Sequence, residues 1–148
     1  MEVVVSAFAV VSLSLQLLQN VNTIKSFMQG MKHASTEIQK VIQTLEILGS
    51  LLDELRDVLE LQSLRHAPPP SAAIINCMAR CEVHLQPLKD IVEKYSETLN
   101  LRGPRVEKLW DRVKVGLKMK DIAAIEKSIH QEISNLNTAI SMNNTRIQ

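Results

Sequence analysis

Aromatic side chains are nearly missing from this chain: they make up 3% of it, as one Trp, one Tyr and two Phe. Glycines number only four. Sheet proteins draw on aromatic residues and on glycine-bearing turns. Their scarcity, beside many Leu, Ile, Gln, Glu and Lys, excludes a β-rich chain and leaves an all-α one. Two cysteines cannot build a disulfide framework, and nothing else points to an oxidising compartment. A strong net charge is lacking too; at +1 no global field draws the protein to nucleic acid. The four glycines are isolated, so no loop cradles a phosphate, and His33, His66, His84 and His130 lack the spacing of a metalloprotease helix. No catalytic constellation can be assembled. The chain reads as a non-enzyme without a cofactor.

The longest absence is of charge. In MEVVVSAFAVVSLSLQLLQNVNTI nothing between Glu2 and Lys25 is ionised. Three readings compete for this run: a secretion signal, the innermost helix of a bundle, or a bilayer segment. A signal needs positive charge ahead of its apolar core and a small-residue cleavage site after it. Here the early charge is the acidic Glu2, and Gln19, Asn20 and Asn22 follow the apolar stretch. The cytoplasm is therefore the expected compartment. On a helical wheel Glu2, Ser6, Ser12, Gln16, Gln19, Asn20 and Thr23 gather in one stripe, shared with Val5, Ala9 and Leu13, while Ser14 and Asn22 fall outside it. Residues 3–24 would span about 33 Å as a helix, against about 30 Å of bilayer hydrocarbon. A helix apolar on most of its surface also suits the centre of a soluble bundle. Both readings stay open, and one helix can serve both if it is buried at rest and released later.

At 148 residues the chain is one domain's length, with 45% hydrophobic and 22% charged residues. Its end at TRIQ, with no Gly or Pro terminator, fits one domain of a longer protein. Ile38, Val41, Leu45, Leu48, Leu52, Leu55 and Leu59 recur in alternating steps of three and four, widened by Ile42, Leu51 and Val58. RHAPPPS at 65–71 breaks this helix, since three prolines cannot continue it. Ile74, Met78, Cys81, Leu85, Leu88, Val92, Tyr95 and Leu99 form the next seam, which Pro87 is expected to kink or split. Gly103-Pro104 opens a short amphipathic helix carrying Val106, Leu109, Trp110, Val113 and Leu117. Ile122, Ile125, Ile129, Ile133, Leu136 and Ile140 mark a last, longer one. The expectation is an antiparallel helical bundle of about five helices, four long and one short, with Trp110 as a core anchor.

Two clusters could carry chemistry. Cys77, Cys81 and His84 share a helix face, but a structural zinc site wants a second ligand pair, and core cysteines are the plainer account. Arg102, Arg105, Lys108, Arg112, Lys114, Lys118 and Lys120 stand against only Glu107 and Asp111, a local charge of about +5. Such a run is either a solvated helix face or a contact for anionic lipid headgroups, at about 1 kcal/mol per well-placed basic residue. With Trp110 the lone aromatic among these charges, no stacking platform for nucleic acid can be built.

The opening MEVVVSAFAVVSLSLQLLQNVNTIKSF resembles the start of fungal HeLo-like domains, found at the front of NLR-type (STAND) immune receptors. LWDRVKVGLKMKDIAAIEKSIHQEISNLNTAI resembles the end of the same domains, and the resemblance covers essentially the whole chain. It implies a helical bundle, residues 1–148, that executes or triggers regulated cell death. A receptor or amyloid signal would gather copies, the N-terminal helix would leave the bundle, and the oligomer would permeabilise the plasma membrane. The implied partners are the chain itself, an upstream receptor or amyloid-signalling protein, and anionic lipid, with no nucleic acid. The implied inserting segment carries Glu2 at its tip, then Val3, Val4, Val5, Phe8, Val10, Val11, Leu13, Leu15, Leu17 and Leu18. A non-lytic adaptor or oligomerisation module of an immune receptor is the alternative.

Overall fold

A computed structural model of the chain describes residues 7–30, 35–64, 72–99 and 119–147. Four helices account for nearly all of them: α1 (Ala7–Gln29), α2 (Thr36–Leu64), α3 (Ala72–Leu99) and α4 (Met119–Ile147). Among the described residues there is no strand. The fifth, short helix expected around Trp110 lies outside the described residues, as do Arg102, Arg105, Lys108, Arg112, Lys114 and Lys118.

Local chemistry sets the ends. The amide of Gly30 donates to the Phe27 carbonyl at 3.2 Å and closes the last turn of α1. Ser35 caps α2: its carbonyl accepts from the Gln39 amide at 3.0 Å, and its hydroxyl lies 3.4 Å from the Ile38 amide. Helix α2 stops at Leu64 and α3 starts at Ala72, on either side of the proline-rich stretch.

Pairing follows a ring in which α1 touches α2 and α3, and α4 touches α2 and α3. Among the described residues α1 does not approach α4, nor α2 approach α3. Among the four described helices none is therefore innermost, unlike one reading of the opening run. Gly49 of α2 faces Val21 and Leu18 of α1, as an antiparallel hairpin requires. Arg80 meets Glu132 while Ala73 and Met142 share a groove, so α3 and α4 are antiparallel too. By contrast Thr44 meets Glu126 and Glu54 lies near Asn137, so the neighbours α2 and α4 run in parallel. Consecutive helices alternate in direction, as expected, but the step from α2 to α3 crosses the diagonal of the bundle.

The core is the sum of the four seams. Every member of the α2 series from Ile38 to Leu59 is fully buried. On α3 the buried residues are Ile74, Cys77, Met78, Cys81, Leu85, Leu88 and Val92, and on α4 they are Ile122, Ile129, Ile133, Leu136 and Ala139. Pro87 does not split α3, which runs unbroken from Ala72 to Leu99. Pro87 and Val83 both lie on the exposed face, so the Val83 carbonyl that loses its helical donor is open to water.

Candidate functional site: the N-terminal helix and its seat

Helix α1 has 23 residues and one charged side chain among them, Lys25. It sits in the bundle along a single heptad row: Val10, Ser14, Leu17, Val21, Ile24 and Met28 are buried. Ser14 thus occupies a core position. Its hydroxyl donates to the Val11 carbonyl at 2.7 Å, which satisfies the polar group inside the helix itself. Val11, Leu13 and Leu18 flank the row, half-buried against the core. Leu15 is half-buried as well but lies outside that packed set. Ser12, Gln16, Gln19 and Thr23 are exposed, so the polar stripe of the wheel is the solvent face; Asn20, at its edge, is half-buried.

Of the residues assigned to the inserting segment, then, Val10 and Leu17 hold α1 in the bundle, and Val11, Leu13, Leu15 and Leu18 are partly open. Phe8 belongs to α1, and its side chain lies outside the description; Glu2, Val3, Val4 and Val5 lie outside the described residues. Lys120 stands in the first turn of α4, its side chain likewise outside the description. Trp110 and the other basic residues of the cluster fall on the stretch 100–118, also outside it. Among the described residues no helix is long and apolar enough to cross a membrane.

A second feature joins α3 to α4. Glu132 is buried, its side chain 8% exposed, and Arg80 donates through Nε to Oε1 at 3.1 Å and Oε2 at 3.0 Å. Nη2 of Arg80 also reaches Cys77 Sγ at 3.2 Å, and His84 Nε2 lies 3.9 Å from Glu132 Oε1. The hydrogen bond to Glu132 is the main reason the Arg80 guanidinium holds its proton even more firmly than usual. Burial pushes the Cys81 thiol up to about 12 and the Cys77 thiol upward, with Arg80 opposing the rise at Cys77. Both thiols are therefore protonated and poor nucleophiles at neutral pH. Among the described residues no group of His, Cys, Asp and Glu could hold a metal ion. The cluster acts as a clasp: a buried carboxylate held by a partly exposed guanidinium.

The pair Arg80–Glu132 is invisible in the sequence, because its members stand 52 residues apart and meet only once α3 and α4 are packed antiparallel. Ser14 was legible in part, since it already falls off the polar stripe of the wheel. No protein-family model, no curated protein and no solved structure matches this chain.

Proposed function

We propose that this domain is a regulated cell-death effector that oligomerises and acts on the plasma membrane through its N-terminal helix. The seat of α1 is the observation that supports it most. This helix carries one charge, is held by a single row that includes a serine, and leaves a second apolar row half-covered. Such a helix loses less by leaving its bundle than one with an all-leucine seam, and lipid can take up its apolar side chains. Its exposed Ser12, Gln16, Gln19 and Thr23 would face one another, or water, in an assembly of several copies. The basic residues Arg102 to Lys120 would meet anionic headgroups, and the resting protein would stay in the cytoplasm.

Dye release from liposomes tests this reading, with and without anionic lipid, for the full chain and for Leu15→Glu. Leu15 lies outside the packed core, so the variant is expected to keep its circular dichroism spectrum. Leakage that needs anionic lipid and disappears in the folded variant is the expected result. Undiminished leakage from folded Leu15→Glu would sink it.

The second reading is a non-lytic adaptor that recognises helices, in the manner of an immune-receptor oligomerisation module. It is favoured by the large apolar side chains left on the surface, Ile47, Leu61, Val83 and Met142. Self-association without any lipid dependence or leakage would establish it over the first.

A further inference from the structure

Helix α2 carries two heptad rows. The first, Ile38 to Leu59, builds the core. The second lies one residue back and runs Ile47, Leu51, Glu54, Val58, Leu61 in steps of four and three. Leu51 is buried and Val58 half-buried, while Ile47 and Leu61 are 50% and 52% exposed. Apolar Ile47 and Leu51, acidic Glu46 and Glu54, and polar Gln43 and Ser50, with Asn137 of α4, line an open groove of about 570 Å³ between α2 and α4. A row with this spacing, part apolar and part acidic and open to solvent, is a form in which one amphipathic helix receives another.

Charge selects the occupant. Helix α2 has six acidic residues against two basic ones, a net of −4. Pairing α2 with α2 of a second copy would bring Glu46 and Glu54 against their own kind, and like charges across an interface oppose it. The complementary chemistry lies elsewhere in the sequence, in residues 102–120, with seven basic and two acidic residues around Val106, Leu109, Trp110, Val113 and Leu117. We propose that the α2/α4 groove of one copy receives the basic amphipathic stretch 104–118 of a second copy.

Reach argues for a second copy over the same one. Leu99 and Met119 stand at one end of the bundle, because α3 and α4 are antiparallel. A fifteen-residue helix laid along the groove would put one of its ends about 21 Å from there. The lead from Leu99 to Pro104 spans at most about 17 Å, and Lys118 is bonded directly to Met119. A neighbouring molecule is under no such constraint. The contact joins two different surfaces, so a pair still has one groove free on one copy and one basic stretch free on the other, and the assembly grows head to tail.

This inference rests on the oligomerising half of the proposed function. Its test is sedimentation velocity of the full chain, a groove variant (Ile47→Lys with Glu54→Lys) and a basic-stretch variant (Lys108→Ala with Arg112→Ala). The native chain is expected to associate beyond dimers, less so at high salt. Each variant alone is expected to associate roughly tenfold or more weakly. Mixed in equal amounts, the variants supply one sound groove and one sound basic stretch, and should form a dimer that grows no further. A native chain that stays monomeric, a groove variant that associates like the native chain, or a mixture that stays monomeric would each overturn the proposal. Leakage is read separately. Association without leakage faults the membrane reading and leaves the groove standing, whereas leakage with an unaltered groove variant faults the groove alone.

Discussion

The first two helices are neighbours with the same heptad spacing and different contents. Along α1 the buried row reads Val10, Ser14, Leu17, Val21, Ile24, Met28; along α2 it reads Ile38, Val41, Leu45, Leu48, Leu52, Leu55, Leu59. Spacing decides which face of a helix turns inward. Content decides how firmly it is held there. Intrinsic propensity does not separate them, since both mix β-branched residues with strong helix formers; α1 has Val10, Val11, Val21, Thr23 and Ile24, and α2 has Thr36, Ile38, Val41, Ile42, Thr44, Ile47 and Val58. Polarity does separate them: one charge on α1, eight on α2.

The largest effect that would test this contrast is Leu52→Ala, at a fully buried position of the stronger row. Urea unfolding is expected to show a loss of about 2–5 kcal/mol. Its counterpart Leu17→Ala should do something different under native-state hydrogen exchange, lowering protection of α1 amides well before those of α2. Equal loss of protection across both helices would erase the distinction. Next comes Thr44→Val, which removes the hydroxyl that donates to Glu126 Oε1 at 2.9 Å between α2 and α4. About 1 kcal/mol should be lost in thermal or urea unfolding, with α1 protection little changed.

Two smaller changes act with the opposite sign. A Cβ at Gly49 would stand 3.7 Å from Val21 Cγ1 and 3.8 Å from Leu18 Cδ1, ordinary contact distances. Gly49→Ala is therefore expected to gain about 0.5–1 kcal/mol in the same unfolding assay, by fitting α1 more closely and stiffening α2. Ser14→Ala should gain about 0.5 kcal/mol, since alanine is the better helix former and no longer places a hydroxyl in the core row. The same variant should slow dye release. A loss of stability in Ser14→Ala would show that the hydroxyl contributes to the seat of α1 and would weaken the contrast.

Much of this was legible in the residues. The α2 series and most of the α3 and α4 series were read from spacing alone, because the apolar period of a helix is a local property. The elements separated by 65–71 were equally plain, since three prolines leave no room for a helix. Other features needed tertiary facts. Pro87 reads as a breaker until its exposed side is known, and Ser14 reads as polar until its bond to the Val11 carbonyl is seen. The clasp between Arg80 and Glu132 depends on register between distant segments. Parallel packing of α2 on α4 depends on a crossing that no spacing rule contains. The second row of α2 was partly visible in Leu51 and Val58, but exposure at Ile47 and Leu61 sets it apart from the core row. For the residues proposed to contact lipid and the first five positions of the proposed inserting segment, Glu2, Val3, Val4, Val5 and Phe8, the side-chain surroundings lie outside the described residues.

The ring order has a mechanical consequence. Because α1 meets α2 and α3 but not α4, the remaining three helices stay joined through α4 when α1 is taken away. Both the α2/α4 groove and the Arg80–Glu132 clasp belong to that remainder. Detachment of α1 from this self-connected trio would count as a sub-global opening, not an unfolding. Its signature would be a denaturant dependence well below that of the whole domain, in proportion to the surface of one helix seat.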